Sequence, residues 1–325
     1  MITEETVFII GAGASKPYEF PTGKELRKQL CFDLTERIKP YIKRENRANP
    51  HDYRSIENKI LEFSSVFFKS SNQSIDLFLA KNTRFSQIGK IGVLACILDA
   101  ENKSKFREEM DNEDEDWYSY LFHRMSEDLT KPEHYKRFCD NKVSFITFNY
   151  DRSLEYFMEE SLSNSFTNVI YSNLDYKDFI PFPFLHVYGC VANLPSKSGN
   201  VLEYRKTIDY SKLDKLKDNI KLIFDRTGNE LETIKSTISN AKRIFFLGFG
   251  FAKENLEALD IPKTINTEQE IFGTTYRFTE KEMEYIIRIL CPPQIGYLSK
   301  SEKAMKKGNV ILKNSDCKSL LREFL

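Results

Sequence analysis

The chain has 325 residues, 48 of them basic and 48 acidic, for a formal net charge of zero, so bulk electrostatics gives no reason to expect a nucleic-acid partner. It is 41% apolar, with 26 Phe and 16 Tyr, enough for a sizeable core. Without a run of about 18 apolar residues, no membrane-spanning helix is expected, and the acidic start MITEETVFII, which leads straight into a strand-like run, does not read as a secretory signal.

In chain order, Val7–Ile10 is a short run of β-formers suited to a strand buried on both faces. Gly11-Ala12-Gly13-Ala14-Ser15 follows, a stretch that turns tightly and leaves room for a ligand to approach its N–H groups. Gly-x-Gly without a third glycine is also compatible with a plain strand-to-helix turn. Thr22-Gly-Lys-Glu25 has the form of a capping box and opens a helix reaching about Lys43. From 54 to 129 apolar residues recur at spacings of three and four, as in a helical insertion. Its large side chains (Phe63, Phe67, Phe68, Leu77, Phe78, Trp117, Tyr120 and Phe122) mostly pack it against the sheet, and any left exposed would suit assembly.

Further strands are expected at 143–148, 167–171, 184–188, 243–247, 270–275 and 309–312, separated by helices that include 151–162 and 228–241. Strands alternating with helices predict an α/β fold: a Rossmann-like parallel sheet flanked by helices, in one domain over 1–325, with a large helical insertion after the first strand. That insertion is expected beside or over the carboxyl ends of the strands, where open α/β sheets bind ligands. DNEDED at 111–116 reads as a solvated loop rather than a cation site, and KSEKAMKKG at 300–308 as a solvated basic loop. Cys31, Cys96, Cys139, Cys190, Cys291 and Cys317 form no Cys-x-x-Cys pair. They read as reduced, mostly buried thiols of a cytoplasmic protein, and no metal site is expected.

Three strand ends carry unusual residues. After 143–148 come Asn149 and Asp151: the aspartate suits a helix N-cap, while the amide offers two donors and an acceptor and either satisfies a turn or serves a ligand. In FPFLHVYGCV, His186 and Tyr188 share one face if the strand's period of two continues. His186 is either a satisfied core histidine or a proton acceptor. IFFLGFGFAKENLEAL repeats the opening design, with Gly248, Gly250 and then Asn255 on a helix.

The segments GAGASKPYEFPTG, SIDLFL, IGKIGVLACILDAE, DWYSYLF, FITFNYDRSLEYF, HVYGCV, FLGFGFAKENLEAL and FGTTYRFTEKE, in this order, resemble the sirtuin superfamily, and more closely the zinc-less sirtuin-like proteins of bacterial antiphage defence. The resemblance covers most of the chain from 7 to 290. It implies NAD as substrate and cleavage of the nicotinamide–ribose bond, with Asn149 as the catalytic amide and a histidine at or near His186 assisting. It further implies an NAD site built from Gly11, Ala12, Gly13, Ala14, Ser15, Pro21, Thr22, Asp151, Tyr188, Gly248, Gly250 and Asn255. Control by self-assembly, as a homo-oligomer, or by a HerA-type ATPase partner belongs to the same implication. Two departures stand out: the four zinc cysteines of deacetylating sirtuins are missing, and Tyr188, not histidine, precedes Gly189. The competing expectations are a non-catalytic NAD or ADP-ribose binder serving as an assembly subunit, a protein deacylase, and a dehydrogenase.

Overall fold

A computed structural model describes residues 1–48, 53–167, 182–206, 209–222, 225, 228–291, 299–300 and 304–325. Strands β1 (Thr6–Ile10), β2 (Val143–Thr147), β3 (Phe184–His186), β4 (Arg243–Leu247), β5 (Glu270–Thr274) and β8 (Val310–Lys313) form a parallel sheet in the order β3-β2-β1-β4-β5-β8. β7 (Ala304–Lys307) and β6 (Ser299–Lys300) extend it antiparallel beyond β8. The α/β class with a parallel sheet flanked by helices is as expected. The strand expected at 167–171 lies outside the described residues from 168 onward. The basic stretch at 300–308 is not simply a solvated loop: its Ala304–Lys307 is β7, and Met305 is buried, because strand alternation turns its one large apolar side chain inward.

One row of the sheet explains its cohesion. Phe184, Phe145, Phe8, Phe245 and Phe272 stand opposite one another across five strands. Their rings stack in sequence, with centroids 4.5 to 5.4 Å apart. Phe324, from the C-terminal helix Cys317–Phe324, closes the row at 4.7 Å from Phe272.

The chain between β1 and β2 is mainly helical. The helix expected from Thr22 to about Lys43 is three pieces, α2 (Gly23–Phe32), α3 (Leu34–Arg37) and α4 (Lys39–Ala48), after the short turn α1 (Ala12–Ser15). Then come α5 (Tyr53–Lys69), α6 (Ile75–Lys81), α7 (Ser86–Lys103) and α8 (Trp117–Ser126). α7 is not amphipathic: Val93, Leu94, Ala95, Cys96, Ile97 and Leu98 are consecutive and all buried, as in a helix surrounded by others. Phe63, Phe67, Phe78 and Trp117 are buried, whereas Phe68 is 49% exposed and touches the exposed Phe32 ring. In DNEDED, Asp111–Asp114 are exposed but Asp116 is buried. It caps α8 by accepting the Ser119 N–H and also accepts the Tyr18 hydroxyl at 2.9 Å. None of the six cysteines is in a disulfide. Among the described residues no helix is long and apolar enough to cross a membrane, and no three His, Cys, Asp or Glu side chains group as a metal site.

Candidate functional site

β1 lies between β2 and β4, so the connections leave in opposite directions on its two sides. That reversal is the switch point at which α/β sheets open a crevice at their carboxyl ends. The two glycine loops meet there. The Gly13 N–H donates to the Gly248 carbonyl and the Gly11 N–H to the Leu247 carbonyl, both at 3.0 Å, while the Ala14 N–H donates to Gly11. A Cβ on Gly11 would lie 2.6 Å from the Gly248 oxygen, and one on Gly248 would lie 1.9 Å from the Ala14 nitrogen. Gly248 also has a φ of +54°. The glycines are therefore required by the approach of one backbone to the other. Two N–H groups that the sequence suggested for a phosphate, those of Gly11 and Gly13, are spent on this contact, and a third, that of Ala14, on a bond within the first loop. Gly250 faces open space.

A cleft of about 420 Å³ opens beside this junction. The first loop lines it with Gly11, Ala12 and Gly13, the start of α2 with Pro21 and Thr22, the loop after β2 with Asn149 and Asp151, the second glycine loop with Gly248 and Gly250, and the helix Lys253–Ala258 with Asn255. Tyr188 is also on its wall, its hydroxyl donating to Asn255 Oδ1 at 2.9 Å. Ala14, Ser15 and His186 are not on it. Ala14 is buried, and its carbonyl accepts the Trp117 indole N–H at 2.8 Å. Ser15 and His186 line a separate cavity of about 20 Å³, and Asn149 and Asp151 form the partition between the two spaces. The shared face expected for His186 and Tyr188 does not exist, because β3 ends at His186 and the chain turns at Val187–Tyr188, which breaks the period of two.

Asn149 stands two residues beyond β2, its own N–H held by Thr147 Oγ1 at 3.1 Å. Its Nδ2 donates to the Gly11 carbonyl at 3.2 Å and to Ser15 Oγ at 2.9 Å. A carbonyl only accepts, so the Gly11 contact fixes which end of the amide is nitrogen. Oδ1 is buried and has no hydrogen-bond partner, a state that costs about 1–3 kcal/mol when it persists. Asp151, beside it, accepts the Ser153 N–H at 3.0 Å and the Ser153 hydroxyl. It is not the N-cap of α9 (Ser153–Ser165), since Arg152 occupies that position. Burial raises the Asp151 carboxyl above the ordinary range, against the opposing Ser153 bonds.

Neither a scan against protein-family models nor a search of curated proteins gives a match.

Sequence reasoning missed several wall residues. Asp76, on α6, reaches the cleft from the insertion and accepts the Tyr150 hydroxyl; both are buried. The signal for it was an acid within the apolar register Ile75, Phe78, Leu79. Phe148 and Phe249 contact each other edge-on at 5.1 Å and, with Tyr188, give the cleft an aromatic side. Lys24, in the first turn of α2, is the one Lys or Arg on the cleft wall among the described residues. Glu155, a buried acid on α9, contacts His186 Nε2 at 3.1 Å and Lys197 through its other oxygen. Its signal was a charge set among the buried Leu154, Phe157 and Met158.

Proposed function

We propose that the protein is an NAD glycohydrolase that cleaves NAD to nicotinamide and ADP-ribose. The observation that carries this is the orphaned Oδ1 of Asn149 in the wall of a cleft at the sheet's switch point. In the reaction the C1′–N bond breaks with its electron pair going to the nicotinamide nitrogen, which neutralises the ring. Water bonds to C1′ and a proton is released to solvent. The ribose passes through an oxocarbenium-like cation, so catalysis needs negative potential and an oriented water. Asn149 is the group assigned to both: its amide nitrogen is held by Gly11 and Ser15, and its orphaned Oδ1 is the acceptor for a hydrogen bond from the water or a ribose hydroxyl.

The start of α2 supports the phosphate part of this reading. Thr22, Gly23 and Lys24 line the cleft at the N-terminus of a ten-residue helix, where N–H groups and the dipole favour an anion. The aromatic side formed by Phe148, Tyr188 and Phe249 suits a stacked base.

The reading includes the sirtuin-like, zinc-less assignment and a role in antiphage defence by draining NAD. An activity of that kind must be silent until a HerA-type ATPase partner or self-assembly releases it. The exposed Leu61 and Phe68, with Phe32 of α2 against Phe68, support an assembly role for this face of the insertion.

The test is nicotinamide release by the purified chain, alone and with its partner. Asn149→Ala is expected to lower the rate by about 100-fold or more, while its circular dichroism stays native and its stability falls by about 1 kcal/mol. Wild-type rates in the variant would overturn the catalytic assignment and leave a protein that only binds the nucleotide.

A further inference from the structure

The insertion meets the candidate site a second time, behind the cleft. Its helix α8 begins with Trp117 and Tyr118, both buried. The Trp117 indole N–H donates to the Ala14 carbonyl of the first glycine loop at 2.8 Å. The Tyr118 hydroxyl lies 2.7 Å from Ser153 Oγ and 3.5 Å from Ser15 Oγ. Ser153 gives its hydroxyl hydrogen to Asp151, so in the 2.7 Å contact the phenol is the donor. Ser15 bonds the same carboxyl. Tyr118, Ser153, Asp151 and Ser15 thus close a ring of buried side-chain contacts, and Asn149 joins it through the 2.9 Å bond from Nδ2 to Ser15 Oγ.

Tyr118 is itself fixed by bonds that do not involve the cleft. Its backbone N–H donates to the Tyr18 hydroxyl at 2.7 Å, and that hydroxyl donates to Asp116 at 2.9 Å. The two tyrosine rings stack with centroids 3.7 Å apart. The phenol oxygen is therefore presented at a set point. Tyr118 lines the small cavity and not the cleft, so it acts on the cleft through its neighbours. Those neighbours decide the amide. Nδ2 takes both of its acceptors, the Gly11 carbonyl and Ser15 Oγ, from the first loop. That loop is held at Gly11 and Gly13 by the second glycine loop, and at Ala14 and Ser15 it is met by α8. Turning the amide over would set Oδ1 against the Gly11 carbonyl, two acceptors without a hydrogen between them.

We propose that Tyr118 is a positioning residue: the insertion, through the first turn of α8, sets the orientation of the Asn149 amide by holding Ser15 and Ser153 behind it. The sheet supplies the strand end on which Asn149 stands, and α8 supplies the brace that fixes where its Oδ1 points. Only the consequence for turnover rests on the glycohydrolase reading; the ordering of the amide does not.

Tyr118→Phe removes the hydroxyl and keeps both the ring on Tyr18 and the backbone N–H. NMR of the Asn149 Nδ2 hydrogens in the full chain, assigned by their loss in Asn149→Ala, reads the brace directly. In the wild type they are expected to exchange with solvent far more slowly than those of an exposed asparagine. In Tyr118→Phe their resonances are expected to move and their exchange to quicken about tenfold, as for the loss of one hydrogen bond, while the backbone resonances of β1 keep their wild-type positions. Tyr210→Phe, which deletes a hydroxyl bonded to the Arg37 carbonyl, is expected to leave the Asn149 signals unchanged. Turnover gives a second readout: kcat for nicotinamide release is expected to fall about tenfold in Tyr118→Phe with KM within about twofold. Wild-type Asn149 signals or wild-type kcat in that variant overturn the positioning role. Should the variant not fold, wild-type Nδ2 hydrogens that exchange as fast as an exposed asparagine's overturn it instead. If the wild type releases no nicotinamide, the glycohydrolase reading fails and the spectrum still decides the brace.

Discussion

Gly248 and Gly250 stand two residues apart in one loop and carry different constraints. Gly248 has a positive φ and backbone atoms of the first loop where a Cβ would go; Gly250 has neither. Gly248→Ala is therefore expected to destabilise by about 2 kcal/mol or more, whereas Gly250→Ala should lie within about 0.5 kcal/mol of wild type. Denaturant unfolding of the two variants checks the contrast. A second residue-scale prediction concerns Glu155. Its folded value of about 2 lies below its ordinary 4.5, so its charge stabilises the fold fully above about pH 4.5 and progressively less as pH falls toward 2. The contribution is on the order of 3 kcal/mol. Glu155→Gln should cost stability near neutral pH, and its difference from wild type should shrink at about pH 3. A pH-independent difference would show that packing, not charge, sets the loss.

At the scale of elements, the phenylalanine row ties five strands and the C-terminal helix into one layer of stacked rings. Phe8 is its centre, flanked by Phe145 and Phe245 at 5.4 Å each. Removing the ring leaves a cavity between neighbours fixed by the sheet register. Phe8→Ala should cost about 3–5 kcal/mol, while Phe8→Leu, which refills most of the volume, should cost about 1.5 kcal/mol or less; thermal or urea unfolding measures both. The helices fix the site by a different device. Arg152, at the start of α9, is buried against Glu101 of α7 and also donates to the carbonyls of Asn193, Leu202 and Glu203. This one guanidinium joins the insertion, the helix that carries Glu155, and the loop that carries Lys197.

For the whole molecule, the insertion both borders the cleft through Gln73–Asp76 and presents apolar side chains outward. Leu61 and Phe68 are seven residues apart on α5, hence on one face, and Phe32 meets Phe68 edge-on at 5.2 Å. If self-association controls the activity, Phe32→Ser with Phe68→Ser should shift the chain toward monomer in light scattering at several concentrations while unfolding stays cooperative. An unchanged mass would remove this face from any account of assembly.

The alternation of strands and helices, the capping box at Thr22, the paired glycine turns and the polar residues at three strand ends were legible in the sequence, because each depends on the preferences of residues a few positions apart. What those residues face was not. The glycines serve a contact between loops more than 230 residues apart in sequence, Gly11 against Gly248. Asp116 leaves its acidic run to hold Tyr18, and Asp76 enters the cleft from a helix that pattern alone assigns to packing. His186 lines the small cavity and Tyr188 the cleft, with Asn149 on both, because β3 stops at His186, two residues short of carrying Tyr188 to the same face. Hydrogen-bond partners and burial at such separations are set by packing, so only the tertiary structure decided that the His186 ring is in contact at both nitrogens while the Asn149 amide oxygen is buried without a partner.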